Sequence, residues 1–389
     1  MIYLDNNATT RLDEEVLKAM LPYLQEEYGN ASSIQHKQGR KAHQAIEKAR
    51  ESIADMLQAE PHEIIFTSGA TEAINMVIKG VYERYQIKGK HIITCQTEHK
   101  AVLSCCEYLQ SKGAEITYLS VNTQGQISLD DLALAIRPDT ILVTLMAANN
   151  ETGVIFPIDQ IAALCASREV LFFCDTTQYI GKEHINLSQC PIDMLCLSGH
   201  KFHGPKGIGA LYIRRKSKPT QLTPLLHGGK QEHGLRGGTY PVANIVGLGK
   251  AVEIAHVDPK GLLALRDYFE QSLPHHIENI HIHASANVRL ANTSNVLFKH
   301  VRAAELMTKL PSIALSSGSA CVSGDRDPSH VLKAMGLSDE DALCSLRFSF
   351  SKFNSQAEID QTIVALKEAV QKIRVQSPVW QMYKAGLLD

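Results

Sequence analysis

Two apolar patterns alternate through the first half of this chain, and that alternation limits its fold more than any other feature. Short β-branched runs bounded by polar or turn residues occur at Glu63-Ile64-Ile65-Phe66, His91-Ile92-Ile93-Thr94 and Glu115-Ile116-Thr117-Tyr118-Leu119. Others follow at Thr140-Ile141-Leu142-Val143-Thr144-Leu145, Val170-Leu171-Phe172-Phe173-Cys174 and Met194-Leu195-Cys196-Leu197. Short continuous apolar runs suit strands buried on both faces of a sheet. Between them lie helical patterns. Ala42, Ile46, Ala49, Ile53 and Leu57 recur at near fourfold spacing, and Ala101 to Leu109 is followed by Lys112-Gly113, a cation and a glycine at a helix end. Strands separated by helices predict an α/β fold, a mostly parallel sheet covered on both faces. Ligands of such sheets sit beyond the carboxyl ends of the strands.

Composition removes several other classes. The 389 residues leave room for about two or three domains with a real core. Hydrophobic residues at 44% and charged residues at 21% are ordinary globular values and exclude a disordered or collagen-like chain. A formal net charge of −2 gives no electrostatic footprint for nucleic acid or an anionic membrane, so neither is an expected partner. No apolar run approaches the ~18 residues of a membrane span, and Met1-Ile2-Tyr3-Leu4-Asp5 lacks a signal-peptide pattern. The nine cysteines form no CxxC pair, and Cys95, Cys165, Cys174 and Cys196 lie in apolar runs. A disulfide scaffold or zinc site is not expected, and a cytoplasmic location is. Near Ala255-His256-Val257-Asp258-Pro259-Lys260-Gly261 the texture changes to helices mixed with strands such as Asn295-Val296-Leu297-Phe298, and a domain boundary is placed there.

The strand ends carry the chemistry. After Glu63–Phe66 comes Thr67-Ser68-Gly69-Ala70-Thr71-Glu72, then a helix expected from about Ala73. Converging N–H groups and a helix start make an anion cup suited to phosphate, although a plain N-cap explains the same residues. Asp175 ends a buried strand and needs a cationic partner: a protonated ring nitrogen, a metal or an arginine. The next strand runs into Ser198-Gly199-His200-Lys201-Phe202-His203-Gly204-Pro205, where a desolvated Lys201 could form a Schiff base, whereas most lysines are solvated surface cations. His200 and His203 lack a third ligand of suitable spacing, so no metal is expected. Cup, Asp and Lys together match what pyridoxal 5'-phosphate requires.

The same stretches resemble the pyridoxal-phosphate-dependent cysteine desulfurases of the group I (NifS/IscS-like) branch. The motifs are Tyr3-Leu4-Asp5-Asn6-Asn7-Ala8-Thr9-Thr10, Phe66–Glu72, Thr97-Glu98-His99-Lys100, Ala148-Asn149-Asn150-Glu151, Asp175-Thr176-Thr177-Gln178, Ser198–Lys201 and Leu315-Ser316-Ser317-Gly318-Ser319-Ala320-Cys321. The resemblance implies fold type I, an aspartate-aminotransferase-like architecture. Its large domain, residues 15–258, would hold a mostly parallel seven-stranded sheet. A smaller α+β domain would comprise residues 1–14 and 259–389 and carry a mobile cysteine loop at about 316–330.

By the same resemblance, Lys201 would carry the cofactor as a Schiff base, and His99 would stack on its ring and move protons. Ala70, Thr71, Ser198 and His200 would bind the phosphate, and Asp175 would pair with the ring nitrogen. Asn150 and Gln178 would hold the ring hydroxyl side, with Asn150 also near the substrate. Thr239 would reach the phosphate of the other subunit in a homodimer, and Arg347 would clamp the carboxylate of L-cysteine. Cys321 stands apart from the apolar cysteines because Ser316–Ala320 and Val322–Pro328 around it have little to bury, which suits a thiol that takes up sulfur as a persulfide. The sulfur would pass to an acceptor such as an iron–sulfur scaffold or sulfur carrier protein. Iron–sulfur cluster assembly, transfer-RNA thiolation, thiamine synthesis and DNA phosphorothioation all begin with the same persulfide. Ala147, Lys230, His233 and Gly237 depart from the family's usual His, Gly, Arg and Ser. A class-V aminotransferase, a selenocysteine lyase and a non-catalytic sulfur-transfer subunit are the rival functions.

Overall fold

The computed structural model describes residues 1–215, 220–255, 259–317 and 327–387. The boundary at 258 and Cys321 therefore lie outside the described residues. Twelve strands form within them: β1 Ile2–Tyr3, β2 Ile64–Thr67, β3 His91–Cys95, β4 Glu115–Leu119, β5 Thr140–Met146, β6 Leu171–Asp175, β7 Met194–Ser198, β8 Gly209–Ile213, β9 Ile280–Ile282, β10 Thr293–Phe298, β11 Ile313–Ala314 and β12 Ser345–Ser349. The main sheet is seven-stranded in the order β2-β8-β7-β6-β5-β3-β4. From β7 through β4 every pairing is parallel, while β8 runs antiparallel to both β2 and β7.

Alternation within the strands feeds two cores, one on each face. Phe66, Ile93, Val143, Leu145, Phe172, Cys174, Leu195 and Leu197 point to one side. Ile65, Ile92, Leu142, Phe173, Met194 and Cys196 point to the other. Four helices that precede or follow these early strands are α1 Glu14–Gln25, α2 Lys37–Leu57, α3 Ala70–Tyr85 and α4 Lys100–Gln110. The first face is covered by Ala42, Ile46, Ala49, Ile53 and Leu57 of α2, the stripe legible in sequence. The second is covered by Ile74, Val77, Ile78 and Val81 of α3 and by Val102, Cys105, Cys106 and Leu109 of α4. Cys105 and Cys106 are therefore packing residues.

A third core stands apart from these two. It joins Leu4 to Phe269, Leu273, Val296, Phe298, Leu346, Phe348, Phe350, Ile359 and Ile363. Its sheet has the order β12-β10-β9, all antiparallel. β1 pairs in parallel with β11, and Leu4 N–H donates to Ala314 O at 3.0 Å, so the amino terminus is sewn to residues far along the chain. On β12 the side chains alternate: Leu346 and Phe348 enter this core, and Arg347 between them lines the cavity described below.

Phe348 packs against Phe269 at a ring separation of 4.7 Å and against Phe298 at 6.4 Å. Phe348→Ala should cost about 3–5 kcal/mol, read as a lower urea midpoint; an unchanged midpoint would show that β12 is not anchored by this cluster.

Candidate active site

Strands β2, β5, β6 and β7 end at one cavity of about 590 Å³. Ala70, Thr71, His99, Asn150, Asp175, Gln178, Ser198, His200, Lys201 and Arg347 all line it. Thr239 does not line it. Its neighbours Gly238 and Tyr240 border a smaller recess on the other side of Ser68.

The cup at its floor starts earlier than the sequence pattern predicts, because α3 begins at Ala70 instead of Ala73. Two local features extend the helix. Gly69 adopts φ +150 and ψ −179, a conformation open essentially to glycine alone. Glu72 folds back to accept the Ser68 N–H at 2.7 Å. The N–H groups of Ala70 and Thr71 then have no carbonyl partner within the helix. Glycines keep the floor clear: a Cβ on Gly209 would stand 2.8 Å from Gly69 Cα. Glu72 also receives Arg236 Nε at 2.9 Å. Burial pushes its carboxyl upward, but the hydrogen bonds from Arg236 and Ser68 outweigh it and hold Glu72 below the usual range.

Opposite the cup, Asp175 Oδ1 accepts the Thr177 N–H at 2.9 Å and the Cys196 thiol at 3.4 Å. Lys201 lies on a short 3-10 turn, Gly199–Lys201, directly after β7. Its Nζ donates to Asn7 O at 2.7 Å and Ala8 O at 2.9 Å. His99 caps α4, and its Nδ1 accepts the Ala101 N–H at 3.1 Å, which leaves the proton of the neutral ring on Nε2. Burial lowers its affinity for a second proton; Lys201, His330 and Lys100 act in the same direction, and Asp175 opposes them. His200 Nδ1 meets Thr9 Oγ1 at 3.1 Å, whereas His203 Nδ1 meets Arg11 O, so the two histidines serve different partners.

Arg347 is 3% exposed and holds Asp5 Oδ1 at 2.7 Å and Asn150 O at 3.0 Å. Its Nε has no partner among the described residues. The guanidinium lines the cavity as a buried cation, which suits an anionic ligand. Two buried carboxyls stand one residue behind the cavity wall, Glu98 before His99 and Glu151 after Asn150. Burial, reinforced by Asp175, pushes Glu98 well above its usual range. Burial also raises Glu151, whose Oε2 accepts the Ser329 hydroxyl at 2.5 Å. His330 Nε2 lies 2.9 Å from Glu98 O, so residues 329 and 330 are tied to the same wall.

Several contributors carried no clear sequence signal. Asn7, Lys182 and the Glu72–Arg236 pair make contacts far apart in sequence. Of the departures from the family pattern, Gly237 has a visible consequence: a Cβ there would stand 2.8 Å from Gly228 Cα, so the two backbone segments approach more closely than Ser would allow. His233 adopts φ +56 beside Glu232, whose carboxylate forms a buried bidentate pair with Arg50. Ala147 is fully buried, and its N–H donates to Asp175 O at 2.9 Å.

The donor set suits a phosphorylated pyridine aldehyde. Helix-start N–H groups and the Ser198 hydroxyl meet a phosphate, a carboxylate meets a ring nitrogen, and an amine meets an aldehyde.

Residues 2–362 match the family described as Aminotransferase class-V. The chain is 47% identical over 392 residues to cysteine desulfurase IscS of Histophilus somni, an alignment spanning 99% of this chain and 96% of that protein. A solved NifS-like protein superposes with a TM-score of 0.89 at 38% identity, covering 95% of this chain and 99% of the other. A structure described as SspA in complex with cysteine superposes with a TM-score of 0.82 at 40% identity, covering 91% and 100%.

Burial first, then Lys201 and Lys206, push His200 down to about 4 from 6.5. An unfolded histidine therefore binds a proton across that window while the folded one does not, so stability falls as pH drops from 6.5 toward 4. His200→Asn should flatten that fall in the cofactor-free protein, measured as urea midpoints at several pH values; an unchanged slope would assign the loss to other groups.

Proposed function

This chain belongs to the class-V aminotransferase family and, within it, to the cysteine desulfurases, and from that premise we propose how its residues divide the reaction. The enzyme uses pyridoxal 5'-phosphate and converts L-cysteine to L-alanine. Convergence of Lys201, Asp175, His99 and Arg347 on one cavity is the observation that carries the residue assignments.

Bound in that cavity, pyridoxal phosphate supplies an electron sink that acidifies the α-proton of the amino acid. Asp175 keeps a proton on the ring nitrogen. Ala70, Thr71, Ser198 and His200 take the phosphate, and Asn150 and Gln178 take the hydroxyl side. Lys201 would hold the cofactor's aldehyde carbon through Nζ, and the same amine, when free, would take the α-proton. Arg347 binds the substrate carboxylate through its planar cationic fork at the cavity wall. His99 delivers and accepts protons through Nε2, the nitrogen not occupied by Ala101.

Cys321 supplies the nucleophile as its thiolate. A sulfur–sulfur bond forms to the substrate, the carbon–sulfur bond breaks, and its electron pair goes to carbon. That carbon takes up a proton and leaves as alanine, while Cys321 keeps the transferred sulfur as a persulfide. An acceptor protein, either an iron–sulfur scaffold or a sulfur carrier, takes it onward.

The working form is a homodimer in which Thr239 serves the partner's phosphate site. Support comes from an exposed apolar series along α1 and beyond it: Leu17, Leu21, Leu24, Tyr28 and Ile34. The large and small domains divide near residue 258, with the amino-terminal strand joining the small one. The cytoplasm suits this chain, since the eight described cysteines are buried and unpaired.

The test is alanine release from L-cysteine in the presence of a reductant. Wild type should release alanine, Cys321→Ala almost none while keeping the yellow cofactor, and Lys201→Ala should lack the Schiff-base absorption. Full turnover by Cys321→Ala would overturn the sulfur-attack step. Arg347→Lys should raise KM for cysteine roughly ten- to hundredfold with a smaller change in kcat, because a bidentate charge-assisted contact is lost. An unchanged KM would remove Arg347 from the carboxylate site.

A further inference from the structure

Lys182 has no role in the chemistry above, yet its amine ends inside the network that supports it. Gly181 turns the chain at φ +79, and a Cβ there would stand 2.5 Å from Phe202 Cβ, so the turn depends on glycine. That turn sends the next side chain inward. Lys182 Nζ donates to Gln178 Oε1 at 2.7 Å and to Asn7 Oδ1 at 3.3 Å. Both acceptors are amide oxygens, an unusual environment for a lysine with so much of its amine enclosed. Burial pushes that amine well below its ordinary value, and Lys201 and Arg347 push the same way. Placing a lysine there is costly, which argues for a use.

The use follows from amide chemistry. A glutamine side chain has one acceptor oxygen and two donor hydrogens at nearly equal distances, so the group can be turned end for end. Here Lys182 takes the oxygen, and Gln178 Nε2 donates to Asn7 O at 2.9 Å. Asn7 O is also the acceptor for Lys201 Nζ. Turned over, Gln178 would set its oxygen against the Asn7 carbonyl, two acceptors facing each other. The Lys182 amine on one side and the Asn7 carbonyl on the other together fix which end of Gln178 is presented, leaving one N–H for the cavity.

We propose that Lys182 is a positioning residue that orients the Gln178 amide so that its donor end faces the cofactor. This rests on the assignment of Gln178 to the ring hydroxyl side given above. Lys182 touches neither substrate nor cofactor and acts through Gln178.

A double-mutant cycle on the full-length enzyme tests this, with two readouts besides turnover: the dissociation constant for pyridoxal phosphate and the pH midpoint of the visible cofactor band. Lys182→Met should weaken cofactor binding by up to about tenfold, the size of one hydrogen bond, and should move the band's midpoint. Gln178→Ala should do the same. The double variant should match Gln178→Ala alone, because Lys182 has nothing left to orient. An undiminished effect of Lys182→Met on the Gln178→Ala background would overturn the proposal. If Gln178→Ala leaves both readouts unchanged, the assignment of Gln178 fails, and with it the premise for Lys182; the two failures are distinguished by which single variant is silent. Should Lys182→Met not fold, Lys182→Leu, which also lacks a donor, completes the same cycle.

Discussion

The amino-terminal segment that holds the Lys201 amine is the constraint on which the rest of the site depends. Asn7 receives Lys201 and Gln178 on its backbone carbonyl. Its side chain donates to Thr293 Oγ1 and Asn150 O and accepts from Asn292 and Lys182. One residue thus joins the main sheet to β10 of the smaller sheet. Leu4, three positions earlier, is buried in the third core, so the packing that stabilises that core also sets the depth of Asn7. Arg347 arrives from the opposite direction on β12 and is steadied by Asp5 from the same amino-terminal segment. The lysine and the arginine are therefore held relative to each other by residues 5–8.

Charge is distributed around this segment with clear asymmetry. The ion pairs near the site, Glu72–Arg236 and Asp5–Arg347, retain partners of opposite sign. The groups without such partners are shifted toward neutrality by burial: Glu98 and Glu151 upward, Lys182 and His99 downward. A cavity backed by such groups has fixed donors and acceptors around it and few mobile charges, the condition under which oriented dipoles act most strongly. The neutral His99, with its proton assigned to Nε2, is ready to exchange a proton without first losing one to solvent.

Much of this was legible in the residues. Strands β3, β5, β6 and β7 stood out because they are buried on both faces and so lack polar alternation, whereas β4 at the sheet edge is half-exposed and alternates; Asp175, Ser198 and Lys201 follow from their positions at or just past the strand ends. Strand β8 was harder. Its Gly209-Ala210-Leu211-Tyr212-Ile213 run is apolar, but its direction depends on residues 199–208, a connection too short for the crossover of a dozen or more residues that a parallel pair needs. The early start of α3 was hidden because its N-cap, Gly69, has no side chain to signal it; the backbone conformation of Gly69 and the returning Glu72 define the start locally. Asn7 had no role assigned from sequence, since its partners Gln178 and Lys182 are more than a hundred residues away along the chain; Lys182 lies four residues from Gln178, but a lysine at that spacing does not by itself point inward.

The central claim is that sulfur leaves cysteine by way of Cys321. Its most direct measurement is the mass of the peptide containing Cys321 after the holoenzyme has reacted with L-cysteine without reductant, followed by alkylation and proteolysis. The account predicts a gain of one sulfur atom on that peptide, matched by released alanine and absent when alanine replaces L-cysteine in the incubation. Alanine release with the extra sulfur on another cysteine, or on none, would contradict it.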